Sequence, residues 1–522
     1  MEPDKQYEIQ LGHMCNNRCV FCVSGQRTAN RDAFPLEAEP LLERIREGYA
    51  SGLRKVTFLG GEPTLQPEFM TCVREAVRLG YDEVVIFTNG AKTARGEFID
   101  EVLATGGRFA WRLSFQGGNA LAHERTTKKL GSFGRLRQTL IHLKERGQKV
   151  SVNMCVVKSN YASVADFPKL LEPYGVWQVH LDMMRPRDAG VRTDDELRDS
   201  IPRYSDMVPA LEAMVAGFSE GVDVNVGNLP FCIAPQLAPW IHHDGNATLT
   251  VAIDEHDRLS EAWDKYEVKA RDKVKRDACG ACAFDARCAG VYEKYTEFYG
   301  MDEFVPVSRE RLLQIDTARR LFTLHTAPFV DALRGCTLPA PFTRASFVEH
   351  DREHEWVISL EGDRGEALEL ALRRPSEGGV AATDLFALQV IRCNQGGPEA
   401  LAALRALFAR MTSAARCSVV HPVADDALGG ASLDPKIYAC LSRLRARAPF
   451  GALRWREVRV GEGGRDATMG FEDAAGGVVE VSVAVAQSAV RGSYRLGAPE
   501  PAKTPELIAG VRAVMDALRT PV

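Results

Sequence analysis

Hydrophobic positions between Tyr7 and Val176 follow two alternating patterns. Short runs rich in β-branched and aromatic residues predict strands, and longer runs with apolar residues three or four positions apart predict amphipathic helices. The predicted strands are residues 7–13, 55–59, 83–88, 110–115, 149–157 and 177–183. The predicted helices are residues 35–50, 67–79, 96–105, 133–146 and 164–173. Because strands alternate with helices, we expect an α/β fold with a parallel sheet, a partial (β/α)6 TIM-like barrel.

Glycine follows the end of most of these helices, at Gly52, Gly80, Gly106 and Gly147. The residue after a helix commonly adopts the left-handed conformation, which glycine tolerates best. In barrels of this kind the reactive residues gather where strands end and the following loops begin. Motifs at those positions are therefore expected to lie on one face of the fold.

The patterns become less regular after the barrel. Residues 193–218 predict a capped helix and residues 308–322 a second one, and beyond about residue 325 arginine almost replaces lysine. In that last part the predicted strands are residues 356–360, 368–372, 385–391 and 478–486, and the predicted helices are residues 398–411 and 505–518. We therefore expect three domains. These are a barrel core at residues 1–190, a small cysteine-rich cluster extension at residues 191–322, and a C-terminal α+β domain of unknown role at residues 323–522.

Composition narrows the class of protein. The chain has 522 residues, more than one core usually holds, with 45% hydrophobic and 26% charged residues as in ordinary globular proteins. Its formal charge of -5 makes nucleic acid an unlikely partner. No apolar run approaches the roughly 20 residues of a membrane helix, and residues 1–10 lack a signal-peptide pattern, so we expect a cytoplasmic protein with no membrane partner.

Thirteen cysteines in a cytoplasmic chain favour metal binding or buried thiols over disulfides. Cys15, Cys19 and Cys22 form the pattern C-x3-C-x2-C in the loop after the first predicted strand. Three thiolates at this spacing can hold three irons of a [4Fe-4S] cluster and leave the fourth iron open. The alternative is a zinc site with His13 as the fourth ligand. Six other cysteines stand alone in apolar or helical contexts and are interpreted as small buried hydrophobic residues: Cys72, Cys155, Cys336, Cys393, Cys417 and Cys440.

Three further motifs follow strands of the predicted barrel. They are Gly60-Gly61-Glu62-Pro63, Thr88-Asn89-Gly90 and Ser114-Phe115-Gln116. The three-cysteine loop, with Phe21 before its last cysteine, followed by the GGEP motif, resembles radical S-adenosylmethionine (radical SAM) enzymes. Residues 123–127, 131–133 and 152–157 look like the matching segments of the subgroup that includes molybdopterin-cofactor and peptide-maturing members. The resemblance covers about residues 7 to 300.

This resemblance implies a [4Fe-4S] cluster with an open site on Cys15, Cys19 and Cys22, and S-adenosyl-L-methionine bound to the open iron. One electron would break a carbon–sulfur bond, and the 5'-deoxyadenosyl radical would abstract hydrogen from substrate while the protein orients the reactants and excludes water. The residues expected to bind the cofactor are Gly60, Gly61, Glu62, Pro63, Asn89, Ser114, Gln116, Asn153 and Met184. Glu62 or its neighbouring carbonyls would receive the ammonium group. Gln116 stands where relatives often carry an acidic residue, and no catalytic residue is assigned.

A second group of cysteines lies beyond the barrel. Cys279, Cys282 and Cys288 have the spacing C-x2-C-x5-C, and Cys232 precedes them in a separate segment. Four thiolates can ligate every iron of a second, auxiliary [4Fe-4S] cluster, although a structural zinc ion also takes four thiolates. The group resembles the SPASM/twitch-like auxiliary-cluster extension in its shorter form, which favours iron. A fully ligated cluster suggests electron transfer or support of the substrate site.

Three functions are compatible with the sequence. The first is a radical SAM oxidoreductase of the maturase type that abstracts hydrogen from a peptide or protein side chain, because the resemblance links the auxiliary-cluster segment to peptide maturation. The second is the same chemistry on a small-molecule or nucleoside intermediate. The third is a non-catalytic iron–sulfur protein for electron transfer or binding. The enzyme hypotheses imply an external electron donor such as flavodoxin or ferredoxin.

Overall fold

The computed structural model describes residues 5–243, 248–254, 256–316, 320–335, 337–338, 340–350, 355–373, 386–393, 419–420, 434–461, 464–486 and 489–519. The chain divides into two compact units, Met1–Leu312 and Leu313–Val522. In the described part of the chain, no helix combines the length and the hydropathy needed to cross a membrane. The finer division of the first unit at residue 190 stays a prediction.

Alternating strands and helices form the first half of the first unit, as the sequence pattern predicts. The strands are β1 (Gln6–Gln10), β2 (Lys55–Leu59), β3 (Glu83–Thr88), β4 (Phe109–Leu113), β5 (Lys149–Val156) and β6 (Gln178–Met183). The helices are α1 (Val23–Asn30), α2 (Ala38–Ala50), α3 (Phe69–Leu79), α4 (Gly96–Leu103), α5 (Ala120–Thr127), α6 (Ser132–Glu145) and α7 (Phe167–Leu171). Short 3-10 turns lie at Pro63–Leu65, Tyr161–Asp166 and Glu172–Tyr174. Gly80 caps α3 in the left-handed conformation with φ of 89°, as expected after a helix.

The six predicted strands pair side by side and in parallel, in the order β1 to β6. This confirms the α/β class and the partial TIM-like barrel. The sheet is nevertheless larger than six strands, because four more strands from the following segment join its two edges. They are β7 (Asp223–Gly227), β8 (Ile241–His242), β9 (Thr248–Val251) and β10 (Trp263–Asp264), which give the order β10-β9-β1-β2-β3-β4-β5-β6-β7-β8.

The core of the barrel lies between the sheet and the surrounding helices. On β1 the outward residues Tyr7 and Ile9 are almost completely buried, and the Tyr7 hydroxyl donates to the Arg44 carbonyl of α2. The alternate residues of each strand point to the inside of the barrel, because side chains of a strand alternate between its two faces. The apolar residues therefore hold the helices, and the inward face is left for polar groups.

One predicted helix is divided in the structure. Residues 193–218 form two helices, α8 (Asp194–Ser200) and α9 (Tyr204–Gly217). The predicted cap is present, because the Thr193 hydroxyl accepts from the Glu196 N–H and the Glu196 carboxylate accepts from the Thr193 N–H at 2.8 Å. Pro202 explains the break, since proline disfavours helical backbone at the preceding residue, and Ile201 is extended.

The remaining segment of the first unit carries the second cysteine group. Its elements are α10 (Lys265–Arg271), β11 (Lys273–Val274), β12 (Val291–Tyr292), α11 (Glu293–Tyr299) and α12 (Arg309–Ile315), with 3-10 turns at Pro186–Ala189, Pro235–Trp240 and Asp277–Ala281. Strands β11 and β12 pair with each other in an antiparallel hairpin-like ladder. The helix predicted at residues 308–322 is shorter in the structure and ends at Ile315.

Helix α10 is fastened to the inside of the barrel by two ion pairs. Lys265 Nζ lies 3.0 Å from Glu8 Oε2 on β1, and Lys269 Nζ lies 2.5 Å from Asp182 Oδ2 on β6. Glu8 and Lys269 are both less than 9% exposed. Since β1 and β6 lie five strands apart in the sheet, α10 spans the open side of the incomplete barrel.

The second unit contains two separate antiparallel-rich sheets and three described helices. The first sheet has β13 (Phe342–His350), β14 (Glu355–Gly362), β15 (Ala367–Arg373), β16 (Phe386–Cys393) and β17 (Val419–Val420), and the second has β18 (Arg454–Val460), β19 (Asp466–Glu472), β20 (Val478–Ala486) and β21 (Ala489–Leu496). The helices are α13 (Phe322–Arg334), Pro435–Arg447 and Pro505–Arg519. They share one hydrophobic core that includes Trp356, Leu441 and Phe471. The C-terminal α+β prediction is confirmed, while the helix predicted at residues 398–411 lies outside the described residues.

Candidate functional site

The three cysteines of the first motif lie on the loop between β1 and α1. Cys22 is the N-terminal cap of α1, and its N–H donates to the Cys19 carbonyl at 3.3 Å. Cys15, Cys19 and Cys22 are all free and half-buried. Burial raises the pKa of Cys15 to about 12 and also raises the pKa values of Cys19 and Cys22. Such thiols lose their protons when they bind a metal ion, because the metal ion stabilises the thiolate.

The glycines of the GGEP motif hold this loop in place. The Gly61 N–H donates to the Gly12 carbonyl at 2.8 Å, and the Glu62 N–H donates to the Met14 carbonyl at 2.8 Å. A Cβ at Gly60 would stand 2.6 Å from the Gly12 carbonyl oxygen, and one at Gly61 would collide with the His13 carbonyl oxygen. The two glycines are therefore required because the loop after β2 crosses the base of the cysteine loop at backbone contact distance.

Glu62 joins the loop after β2 to the end of β3. Its carboxylate accepts hydrogen bonds from Thr64 Oγ1 at 2.5 Å, from Thr88 Oγ1 at 2.7 Å and from the Asn89 N–H at 2.7 Å. The side chain is 1% exposed, and burial raises its pKa although these hydrogen bonds lower it. Both carboxylate oxygens are engaged inside the protein. The Glu62 carboxylate is therefore already occupied. The neighbouring backbone carbonyls are the better candidates to receive the ammonium group of the cofactor.

Asn89 has a side chain that faces the cysteine loop. Its Nδ2 atom donates to Asn16 Oδ1 at 2.8 Å and lies 3.5 Å from the Cys15 sulfur. Its Oδ1 atom is buried and has no hydrogen-bond partner among the described residues. This buried oxygen without a partner lies next to three free thiols. The combination fits a bound group that contains a metal for the thiols and an N–H or O–H donor for the oxygen. The residues at this site therefore fit an iron–sulfur cluster with an amino-group ligand.

The remaining predicted cofactor residues lie at the ends of the neighbouring strands. The Ser114 N–H donates to the Thr88 carbonyl at 2.9 Å, which continues the β3–β4 ladder. Gln116 is 5% exposed, and its Oε1 atom accepts from the Cys155 N–H at 3.0 Å while its own N–H donates to His123 Nδ1 at 3.0 Å. Asn153 lies half-buried on the inward face of β5. Two other predicted residues, Pro63 and Met184, are buried in the loops after β2 and β6.

Cys155 belongs to this site, although the sequence analysis interprets it as a structural residue. Its thiol adds to the electrostatic environment of Cys19, and the Cys22 and Asp182 side chains act on Cys155 in turn. Burial holds the pKa of Cys155 well above its usual value. The sequence contains a signal for this, because Asn153 is expected to bind the cofactor and residues two apart on a strand share a face.

The second cysteine group is assembled from two segments. Cys279 lies within a 3-10 turn and Cys282 caps its end, where the Cys282 N–H donates to the Cys279 carbonyl at 2.9 Å. The Cys288 N–H donates to the Phe284 carbonyl at 2.8 Å. Cys232 lies in the turn after β7, and burial followed by the charges of Cys288, Cys282 and Cys279 raises its pKa to about 12. The fold thus brings the remote Cys232 close to the other three thiols.

Aromatic stacking joins these two segments. The Phe231 ring stacks on Phe284 with centroids 4.8 Å apart and on His243 at 5.1 Å. His243 Nε2 donates to the Leu229 carbonyl at 2.6 Å, and His243 Nδ1 accepts from the Ala289 N–H at 2.9 Å. The Phe231–Phe284 and His243–Ala289 contacts join the segment of Cys232 to the segment of the other three cysteines, so these residues position the four thiols. Among the described residues, no three His, Cys, Asp or Glu side chains form a compact single-ion site.

These observations define the class of protein: a parallel α/β barrel with three free cysteines on its first loop and a glycine-rich loop packed against them. Residues 9–171 match the sequence model of the Radical SAM superfamily. This segment of the chain is therefore a radical SAM domain, and enzymes of this superfamily use a [4Fe-4S] cluster and S-adenosylmethionine. The match begins on β1 and ends with α7, so it contains the first cysteine group and leaves out the second.

Individual proteins are similar to the chain over parts of its length. A probable GTP 3',8-cyclase of Saccharolobus islandicus is 28% identical over 211 residues, which cover 38% of this chain and 63% of that protein. An S-adenosylmethionine-dependent nucleotide dehydratase of Flammeovirga pacifica is 27% identical over 163 residues, which cover 29% of this chain and 53% of that protein. The chain thus spans less than two thirds of the length of these curated relatives. The crystal structure of Streptococcus suis SuiB bound to S-adenosylmethionine aligns with a TM-score of 0.40 at 14% identity, over 58% of this chain and 76% of that one.

Proposed function

We propose that the chain is a radical SAM enzyme that cleaves S-adenosylmethionine reductively and abstracts a hydrogen atom from its substrate. The observation that carries this proposal is the packing of the GGEP loop onto the three-cysteine loop, beside the orphaned Asn89 oxygen. The cluster and S-adenosylmethionine, when bound, supply the electron transfer and the radical. The protein's part is to bind them, orient them and keep water away from the reacting atoms.

The residues of the first site divide this work. Cys15, Cys19 and Cys22 are the thiolate ligands of the cluster. Asn89 accepts a hydrogen bond from the cofactor through its free Oδ1 atom, and it is fixed by the Glu62 carboxylate through its own N–H. Gln116 fixes the end of β5 by accepting from the Cys155 N–H. Each of these contacts restrains one side of the cofactor site before any substrate enters.

The substrate class is proposed from two sources. The auxiliary cysteine segment favours a peptide or protein side chain, which is the maturase hypothesis. The curated relatives are named for GTP cyclisation and nucleotide dehydration, which favours a nucleotide or another small molecule. We give the small-molecule class priority, because both curated relatives, aligned over 211 and 163 residues, are named for nucleotide substrates.

The second cysteine group is proposed to bind an auxiliary [4Fe-4S] cluster through Cys232, Cys279, Cys282 and Cys288. The convergence of the four thiols around Cys232 supports this assignment. Four protein ligands leave no open iron, so the cluster would transfer electrons or stabilise the substrate side of the barrel. A structural zinc ion is the competing occupant.

Anaerobic reconstitution tests the proposal. The protein is loaded with iron and sulfide, supplied with S-adenosylmethionine, and reduced with dithionite or with flavodoxin or ferredoxin. We expect 5'-deoxyadenosine to form, and its complete absence would support the non-catalytic alternative instead. Transfer of deuterium from a labelled substrate into 5'-deoxyadenosine then separates the substrate classes, with nucleoside triphosphates in one panel and peptides encoded beside the gene in the other.

A further inference from the structure

Part of the inward face of the barrel, on β4, β5 and β6, is accessible, in contrast to the outward face. On β5 the outward residues Val152 and Met154 are 0% exposed, while Asn153 and Cys155 between and after them are half-buried. The same alternation occurs on β6, where the inward residues are His180 and Asp182. Fully packed side chains would be buried on both faces. The inward residues therefore line a lumen that a small molecule can enter.

The lumen contains two carboxylates, and each already has a cation. Glu8 accepts from Lys265 Nζ at 3.0 Å and from Thr250 Oγ1 at 3.2 Å. Asp182 accepts from Lys269 Nζ at 2.5 Å and from Asn228 Nδ2 at 2.5 Å. The neighbouring lysine is the main reason that the pKa of each carboxyl is lowered despite its burial. Neither carboxylate is free to neutralise a further cation.

Two further cations lie in the same region without an acidic partner. Arg112 projects inward from β4, where its Nε lies 3.4 Å from Ser151 Oγ and its guanidinium lies 5.0 Å from the centre of the Phe87 ring. Lys273 Nζ donates to Asn228 Oδ1 and lies 5.2 Å from the centre of the Tyr292 ring. Among the described residues, no carboxylate oxygen lies within 4.0 Å of either cation, whereas Arg185 nearby is paired with Asp272 and Asp188.

Burial makes these unpaired cations costly. Desolvation lowers the pKa of Arg112, and it lowers the pKa of Lys273 to about 8. A buried charge without a counter-ion is strongly unfavourable, and a bound group of opposite charge would relieve that cost. Glu8 attracts Arg112 at longer range, but its hydrogen bonds go to Lys265 and Thr250. Asp182 and the Cys288 thiolate attract Lys273 in the same way. The lumen side chains thus comprise four cations and two carboxylates, with Cys288 as a further negative group near Lys273.

We infer that the barrel lumen binds an anionic group of the substrate, a phosphate or a carboxylate, with Arg112 as its principal anchor and Lys273 as the second cation. The planar guanidinium of Arg112 can donate two parallel hydrogen bonds to such a group, and Phe87 limits its rotation. The inference rests on the proposed function for the identity of the substrate, but the anion site itself is independent of radical chemistry.

The test is an isothermal titration of the reconstituted protein, without reductant, with inorganic pyrophosphate in one arm and succinate in the other. The arm that binds identifies the group as phosphate or carboxylate. We expect Arg112→Gln to weaken binding about tenfold or more, because a charge-assisted bidentate contact is lost, and Arg112→Lys to weaken it less. Lys273→Met gives a second lumen variant in case Arg112→Gln does not fold, which circular dichroism checks. Arg74→Gln, on the exposed side of α3, is the matched control and is expected to bind like the parent.

Several results would overturn the inference. One is equal affinity of the parent and a folded Arg112→Gln variant, and another is no binding of either anion by the parent. A third is competition between the anion and saturating S-adenosylmethionine, since Arg112 would then hold the cofactor's own carboxylate. Because the titration uses no reductant, a parent protein that binds the anion but forms no 5'-deoxyadenosine would contradict the proposed function and leave the anion site standing.

Discussion

The two cysteine groups of the first unit are built in different ways. Cys15, Cys19 and Cys22 come from one loop of eight residues that follows a central strand of the sheet. The second group draws Cys232 from the turn after β7 and its other members from a loop after β11. The first loop is fixed by backbone contact with the GGEP turn, and the second is fixed by stacking of Phe231 on Phe284.

This difference bears on chemistry. Three protein ligands leave one iron of a cube for an external ligand, whereas four ligands close the cluster. The first group lies beside an unpaired acceptor, Asn89 Oδ1, while the nearby His243 of the second group has both ring nitrogens engaged with backbone groups. We therefore expect reactivity at the first group and support at the second. Substitutions in each group test this difference in role.

The largest effect is expected from the first group. Replacement of Cys15, Cys19 and Cys22 by alanine should abolish 5'-deoxyadenosine formation and lower the iron content from about eight to about four per chain, because one of two cubes loses its ligands. Chromatographic assay of 5'-deoxyadenosine and iron analysis measure both. Cys72→Ala, at a buried position of α3, is the control. Full iron content in the triple variant would contradict the assignment.

Cys232→Ala should have a smaller effect on 5'-deoxyadenosine and a large one on the second group. We expect iron to fall toward about four per chain, because a cube with three protein ligands is more readily lost. If the parent instead holds about four irons and about one zinc ion, the second site is a zinc site and the variant loses zinc. Unchanged metal content of both kinds would exclude Cys232 as a ligand.

Sequence patterns predict the strands and helices of the barrel, because each of these elements has its own run of alternating or helical hydrophobic positions. β2 and β3 coincide with the predicted strands, and Gly80 caps α3 as expected. The strands β8 and β10 have only two residues each, too short to carry a periodic pattern, so the extension of the sheet was not predicted.

Contacts within the candidate site are also predicted only where they arise from local motifs. The C-x3-C-x2-C and GGEP motifs predicted the first group because all their members lie on loops that follow adjacent strands. The pairing of Lys269 with Asp182 joins positions 87 residues apart, and no spacing rule indicates it. The hydrogen bonds that the Glu62 carboxylate accepts from Thr88 and Asn89 are likewise revealed only by the fold.

The Asp182–Lys269 pair connects the barrel to the segment that carries the second group, so it tests whether the two groups are independent. Lys269→Met should lower the free energy of unfolding of the first unit by about 3–5 kcal/mol, because it leaves Asp182 buried without its cation. Denaturant titration measures this, and the double variant with Asp182→Leu should recover part of the loss. Lys294→Met, which removes surface ion pairs of α11, is the control. An equal stability of Lys269→Met and the parent would show that the pair does not hold α10.

The smallest expected effect is a pH dependence of stability that arises at the first group. His123 is 0% exposed and accepts the Gln116 N–H at the first group, and burial lowers its pKa to about 3. Its unfolded pKa is about 6.5, so as the pH falls from 7 to 5 the unfolded chain takes up a proton that the native chain does not. Because the native pKa is lowered, this contribution to stability is fully present above pH 6.5 and is lost as the pH falls toward 3. The loss at pH 5 is about 2 kcal/mol. His123→Gln should remove that part of the pH dependence, measured as the difference in unfolding free energy between pH 7 and pH 5, whereas His256→Gln on an exposed loop serves as the reference. The same pH dependence in His123→Gln and the parent would mean that acid acts on the first site through another group.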